Sequence, residues 1–228
     1  MRQYVIDKQK KIPPRIHGVE IIIKSQPTNS INFHYIKKYL EKRIPRAAFT
    51  SLASITIADF DIFKKMATNA LYDKDNNRIV LSSEQSSTKD ALDDIIHELF
   101  HCVEERESDF LYSDHSLENE YIKKRLSLYR GLKAYNFNPP PKKKFTNTEY
   151  DFDLDEYLTF DVGYKKLFNF TSKLFISNYS ATSLSEYCAE GFESFYFKPQ
   201  DHHKLKKISP RLFEKISKLH EKLSLQGA

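Results

Sequence analysis

Between Asp90 and Glu105 the apolar residues fall on one side of a helix. Ala91, Leu92, Ile95, Ile96, Leu99, Phe100 and Val103 recur at helical spacing, and Ser86, Ser87 and Thr88 offer N-caps just upstream. A helix with a stripe this wide has to bury it against a sheet or other helices, so this segment anchors whatever core the chain builds. The same helix carries His97-Glu98-Leu99-Phe100-His101. Residues four apart project from the same face one turn apart, so the two imidazoles can reach one Zn²⁺. Glu98 lies beside them, where a general base for a zinc-activated water would stand. The plainer alternative is that His97 and His101 are half-buried helix residues paired with Asp94 and Glu105.

The rest of the chain predicts an α+β fold, with a small mixed sheet and the motif helix in the N-terminal half and a helical C-terminal half. Tyr4–Ile6, Val19–Lys24, Ser54–Ile57 and Arg78–Leu81 read as strands, the last following an Asn76-Asn77 turn. Ile31–Arg43 reads as a helix ending before Pro45. Leu117–Tyr135 looks helical, Pro139-Pro140-Pro141 with Lys142-Lys143-Lys144 reads as a stiff exposed loop, and Ser183 to about Phe197 is a helix closed by Pro199. Ser209-Pro210 reads as the N-cap and first residue of a last helix with the stripe Leu212, Phe213, Ile216, Leu219 and Leu223. These elements predict a single domain over 1–228, with one lobe over about 1–105 and the other over about 106–228.

With 40% hydrophobic residues and only 5 glycines, the composition excludes disordered, collagen-like and low-complexity classes. No apolar run approaches a membrane span. The net charge of +5 comes from 36 basic residues interspersed with 31 acidic ones, and no nucleic-acid motif accompanies it. The N-terminus lacks the apolar region and cleavage site of a secretory signal. Two cysteines, Cys102 and Cys188, are too few for a disulfide framework and read as small buried apolars in a reducing compartment. The expected location is cytoplasmic, and a phage-encoded or virion-associated origin fits. His202, His203 and His220 read as exposed.

A catalytic zinc needs a third protein ligand. Glu186 and Glu190 offer one, a helical turn apart. Glu186 also completes the capping-box pattern Ser183-x-x-Glu186, in which the carboxylate only satisfies a helix terminus. Glu190 reads equally well as a surface charge, and spacing does not choose between them.

The segment from Tyr179 through Ser183, Glu186, Tyr187, Ala189, Glu190 and Phe192 resembles the C-terminal motif of the anthrax lethal factor family, which includes the clostridial Pro-Pro endopeptidases. Members carry HExxH on one helix and a later Glu-aromatic-x-Ala-Glu-x-Phe helix, with a Tyr seven residues before the first Glu. The resemblance covers about 78–105 and 175–223. It implies a zincin-like fold, with His97, His101 and Glu186 as the zinc ligands and Glu98 as general base. It makes Tyr179 the active-site tyrosine and Glu190 a supporting residue behind the ligands. The stretch between His101 and Glu186 is longer than in the family, and Gly191 stands where Ala or Ser is usual. The implied activity is zinc-dependent hydrolysis of peptide bonds in extended protein segments, so the expected partner is a protein or peptide. The alternative is a non-catalytic binding protein, or a virion-associated structural protein, of the same fold. Arg78–Leu81, just before the motif helix, is the expected edge strand for an extended peptide, with an interior strand as the alternative.

Overall fold

The computed structural model describes residues 15–29, 31–66 and 68–227. The strand expected at Tyr4–Ile6 lies outside them. The chain divides into two compact units, Met1–Val103 with Leu223–Ala228, and Glu104–Lys222.

The first unit holds a four-stranded sheet. Strands β1 (Glu20–Ile23), β2 (Ser54–Ala58) and β4 (Arg78–Ser82) run parallel, β3 (Ala70–Asp73) runs antiparallel to β4, and the order is β1-β2-β4-β3. Ile21, Ile55 and Ile79 stand side by side across the three parallel strands, each fully buried. All five residues of β2 are buried, as a central parallel strand covered on both faces requires. Helix α1 (Phe33–Arg43) starts where the Asn32 side chain accepts the Tyr35 N–H, buries Ile36 and Leu40, and ends before Pro45. A short helix α2 (Asp61–Met66) precedes β3.

Two expectations change here. Strand β3 has no counterpart in the sequence reading, and it takes the edge that Arg78–Leu81 was expected to hold. Strand β4 pairs on both sides and is interior. The cause is the turn between them. Asp73 accepts from the Asn76 N–H, Asn77 adopts the left-handed conformation (φ 47°), and Arg78 Nε donates to Asp73 at 2.8 Å, which folds the chain back into a hairpin. The Asp-Asn-Asn signal in the sequence marks this turn, but Ala70–Asp73 is too short to show a strand period of its own.

Helix α3 (Thr88–Tyr112) opens with the Asp90 N–H donating to Ser87 Oγ at 3.2 Å. Its predicted stripe is buried in full, with Ala91, Leu92, Ile95, Ile96, Leu99, Phe100 and Val103 each at 0 or 1% exposure. The helix runs seven residues past the predicted end. Glu107 breaks its regular dihedrals (φ −104°, ψ 15°) and is itself buried, taking hydrogen bonds from Arg106 Nε and Lys222 Nζ.

The second unit is helical: α4 (Ser116–Ala134), α5 (Lys142–Thr146), α6 (Phe152–Glu156) running into a π-helical stretch Tyr157–Gly163, α7 (Tyr164–Thr171), α8 (Leu184–Phe197), α9 (His202–Ile208) and most of α10 (Pro210–Gln226), whose last residues from Leu223 belong to the first unit. At coarse resolution the chain is therefore the expected α+β arrangement of a small mixed sheet and a helical C-terminal part. The expected exposed loop is instead partly folded in. Pro139 is buried, α5 starts right after Pro141, and Phe145 is fully buried, with its ring 5.1 Å from that of Tyr129. The last helix starts at Pro210 after Ser209 as expected, but its free N–H groups find another partner. The Arg211 and Leu212 N–H groups donate to the Glu120 carboxylate at 3.0 and 3.2 Å, while Ser209 Oγ accepts from the buried Lys124 ammonium. A carboxylate supplied by α4 is the stronger partner for a helix N-terminus, and Lys124 needs the hydroxyl. His202 and His220 are half-buried rather than exposed. His202 stacks on Phe195 at 4.4 Å, and the His220 ring nitrogen lies 3.0 Å from Tyr196 Oη. Gly191 is required by packing, since a Cβ there would run into the Leu212 side chain of α10.

Candidate metal centre

On α3, burial of Ile96, Leu99, Phe100 and Cys102 turns His97, Glu98 and His101 to the half-buried side. The two imidazole rings lie 5.3 Å apart at 67°. One turn upstream, Asp94 accepts from Gln85 Nε2 at 2.7 Å, and the same amide nitrogen donates to the Asn69 carbonyl. Burial pushes the Asp94 carboxyl up to about 6, with the Gln85 hydrogen bond opposing the shift.

Helix α8 presents its acidic residues in the same manner. Ser183 is extended (φ −148°, ψ 166°), and its Oγ accepts the Glu186 N–H at 3.0 Å, so the serine half of the capping box is formed. Tyr187, Cys188, Ala189, Gly191 and Phe192 are buried, which leaves Glu186, Glu190 and Glu193 half-exposed at i, i+4 and i+7. Tyr179 sits on the 3₁₀ turn Tyr179–Ala181 just ahead of this helix and is 39% exposed. Its carbonyl accepts from the Thr182 N–H and Oγ1.

One donor atom from each of His97, His101 and Glu186 lies within 4.8 Å of the others, and a second group at the same limit joins His97 with Glu190 and Glu193. Two imidazoles and a carboxylate are a common catalytic zinc set, and donors bound at about 2.0–2.2 Å sit roughly 3–4 Å apart. The sequence reading did not single out Glu193. Its signal was the i+3 spacing from Glu190.

The cysteines behave as expected. Both are free and buried, and burial raises the Cys188 thiol well above its usual range. Within the second unit, Glu186 also borders a cavity of about 600 Å³ that is lined by Glu104, Glu118 and Glu149 among others. Glu104 accepts from Ser185 Oγ at 2.6 Å and from the Tyr112 hydroxyl. Among the described residues, no helix is long and apolar enough to cross a membrane.

The chain thus carries a cluster of histidines and glutamates able to chelate a metal ion. Compared with known proteins, the chain matches no family model, no curated protein and no solved structure.

Proposed function

We propose that the protein is a zinc-dependent endopeptidase with a zincin-like fold of the lethal factor kind, in which His97, His101 and Glu186 hold the ion. The observation that carries this reading is the gathering of three ligand-type atoms within 4.8 Å, two of them from a His-Glu-x-x-His helix and the third from the Glu-aromatic-x-Ala-Glu-x-Phe helix. When bound, zinc supplies Lewis acidity that polarises a scissile carbonyl and makes water acidic at neutral pH. Glu98 takes the proton from the attacking water and returns it to the leaving amine. Tyr179, exposed on its turn, donates its hydroxyl hydrogen to the oxygen that gains charge in the transition state. Glu190, one turn along α8 from Glu186, orients the ligands from behind. The edge strand for an extended substrate is β3, since β4 is paired on both sides. The substrate is accordingly an extended protein or peptide segment, and the setting is cytoplasmic.

The experiment is metal analysis followed by cleavage profiling on a peptide library, with and without chelator. About one tightly bound zinc per chain and chelator-sensitive cleavage are expected. A protein reloaded with zinc that retains no stoichiometric metal would sink the proposal. Metal binding with no cleavage of any peptide would favour the non-catalytic alternative.

A further inference from the structure

Helix α4 carries a buried polar face that the proposed chemistry does not use. Tyr121, Lys124 and Arg125 stand at i, i+3 and i+4, and Tyr121 and Arg125 are both 0% exposed. The Arg125 guanidinium makes its hydrogen bonds to neutral oxygens. Nη1 donates to Tyr121 Oη at 2.9 Å, to the Asn147 carbonyl at 2.9 Å and to the Thr182 carbonyl at 3.4 Å, and Nη2 donates to the Lys144 carbonyl at 2.7 Å. Its Nε is buried without a hydrogen-bond partner. The Tyr121 hydroxyl in turn donates to the Ala181 carbonyl at 3.1 Å.

A buried cation held this way is a costly means of filling space, because its desolvation is only partly offset by carbonyl dipoles. What a rigid planar fork does that an apolar side chain cannot is fix several backbone segments in one geometry. The segments it fixes converge on α8. Ala181 and Thr182 lie between Tyr179 and the cap Ser183. Lys144 and Asn147 lead to Thr148, whose carbonyl accepts the N–H of Leu184, the first residue of α8, at 2.8 Å. Glu186 is two residues further on.

We infer that Arg125, with Tyr121, is a positioning residue for Glu186. It holds the turn Tyr179–Ser183 and the segment 144–148 so that the first turn of α8 presents the Glu186 carboxylate to the metal. The Pro/Lys-rich segment, through the Lys144 and Asn147 carbonyls that accept from Arg125, is the outer arm of this clamp. The inference rests on the reading of Glu186 as a zinc ligand.

The test is a competitive zinc titration on the full chain in a mutant cycle: wild type, Arg125→Lys, Tyr121→Phe, Glu186→Ala, and each of the first two combined with Glu186→Ala. Circular dichroism and thermal melting report folding. Arg125→Lys and Tyr121→Phe should each weaken zinc binding by roughly tenfold, the low end for residues behind a ligand. In the Glu186→Ala background the same changes should alter affinity by less than about twofold, because the interaction they serve is already gone. Wild-type affinity in Glu186→Ala would overturn the ligand assignment itself. A weakened Glu186→Ala alongside unchanged affinity in Tyr121→Phe and Arg125→Lys, or equal losses in both backgrounds, would overturn the positioning role alone. Should Arg125→Lys fail to fold, Tyr121→Phe decides the matter, since it removes one hydroxyl and keeps the ring packed against Tyr187.

Discussion

Glu186 and Glu190 lie one turn apart on the same half-exposed side of α8, yet they join different donor groups. Glu186 is grouped with both histidines, whereas Glu190 joins His97 and Glu193. If the first group holds the ion, Glu186→Ala should weaken zinc binding by orders of magnitude, and Glu190→Ala by roughly 10–100-fold. Competitive titration on both variants ranks them, and a larger loss in Glu190→Ala would shift the assignment to the second group. The Ser183 hydroxyl binds the Glu186 backbone N–H, and alanine keeps that half of the cap. Glu98 makes a separate forecast. Glu98→Gln should retain zinc and fold while losing most turnover, roughly 10²–10⁴-fold, since it removes a proton acceptor and no ligand. Near-normal rates in that variant would rule out Glu98 as the base.

At the scale of elements, contacts from distant segments decide how helices begin and how closely they pack. The N-terminus of α10 is held by Glu120 of α4, which also accepts from the Tyr187 hydroxyl at 2.7 Å. Glu120→Ala should therefore cost roughly 2–4 kcal/mol, combining a lost cap with the loss of the carboxylate that accepts from the buried Tyr187 hydroxyl. Ser209→Ala removes one of three oxygens around Lys124 and should cost only about 1 kcal/mol. Urea denaturation of the two variants checks the order, and a reversed order would restore Ser209 as the effective cap. Gly191 leaves room for the Leu212 side chain of α10. Gly191→Ala should destabilise the protein by roughly 1–3 kcal/mol through overpacking against Leu212, despite alanine's better helix propensity.

For the molecule as a whole, Lys124 gives stability a pH dependence. Burial pushes its ammonium down to about 8, with Glu120 opposing the shift. In the unfolded chain it titrates near 10.5. Between these values the unfolded state binds more protons, so this residue's contribution to stability rises with pH from about 8 toward 10.5. Buried Tyr121 and Cys188, whose folded values are raised, act with the opposite sign at alkaline pH and cancel when Lys124→Met is compared with wild type. The stability of wild type relative to Lys124→Met should therefore increase by roughly 1.5 kcal/mol from pH 8 to 9.5. A chelator-treated sample in urea denaturation measures it, and a flat difference would show that the three oxygens around the ammonium hold it charged throughout.

Local patterns in the sequence determined much of this protein. The buried stripe of α3, the strands β1, β2 and β4, the Ser183 cap and the apolar face of α10 all follow from spacing and cap chemistry, because each depends on residues within a few turns of one another. The same periodicity marked which sides of α3 and α8 stay unburied, and so which histidines and glutamates were available to a metal. The tertiary structure alone decided what long-range pairing controls. Strand β3 exists because a hairpin partner pairs with it, and that pairing moved β4 from the edge to the interior. Glu120 replaced Ser209 as a cap because α4 delivers a carboxylate from 91 residues away. The Pro/Lys-rich segment folded in because Arg125 takes its carbonyls.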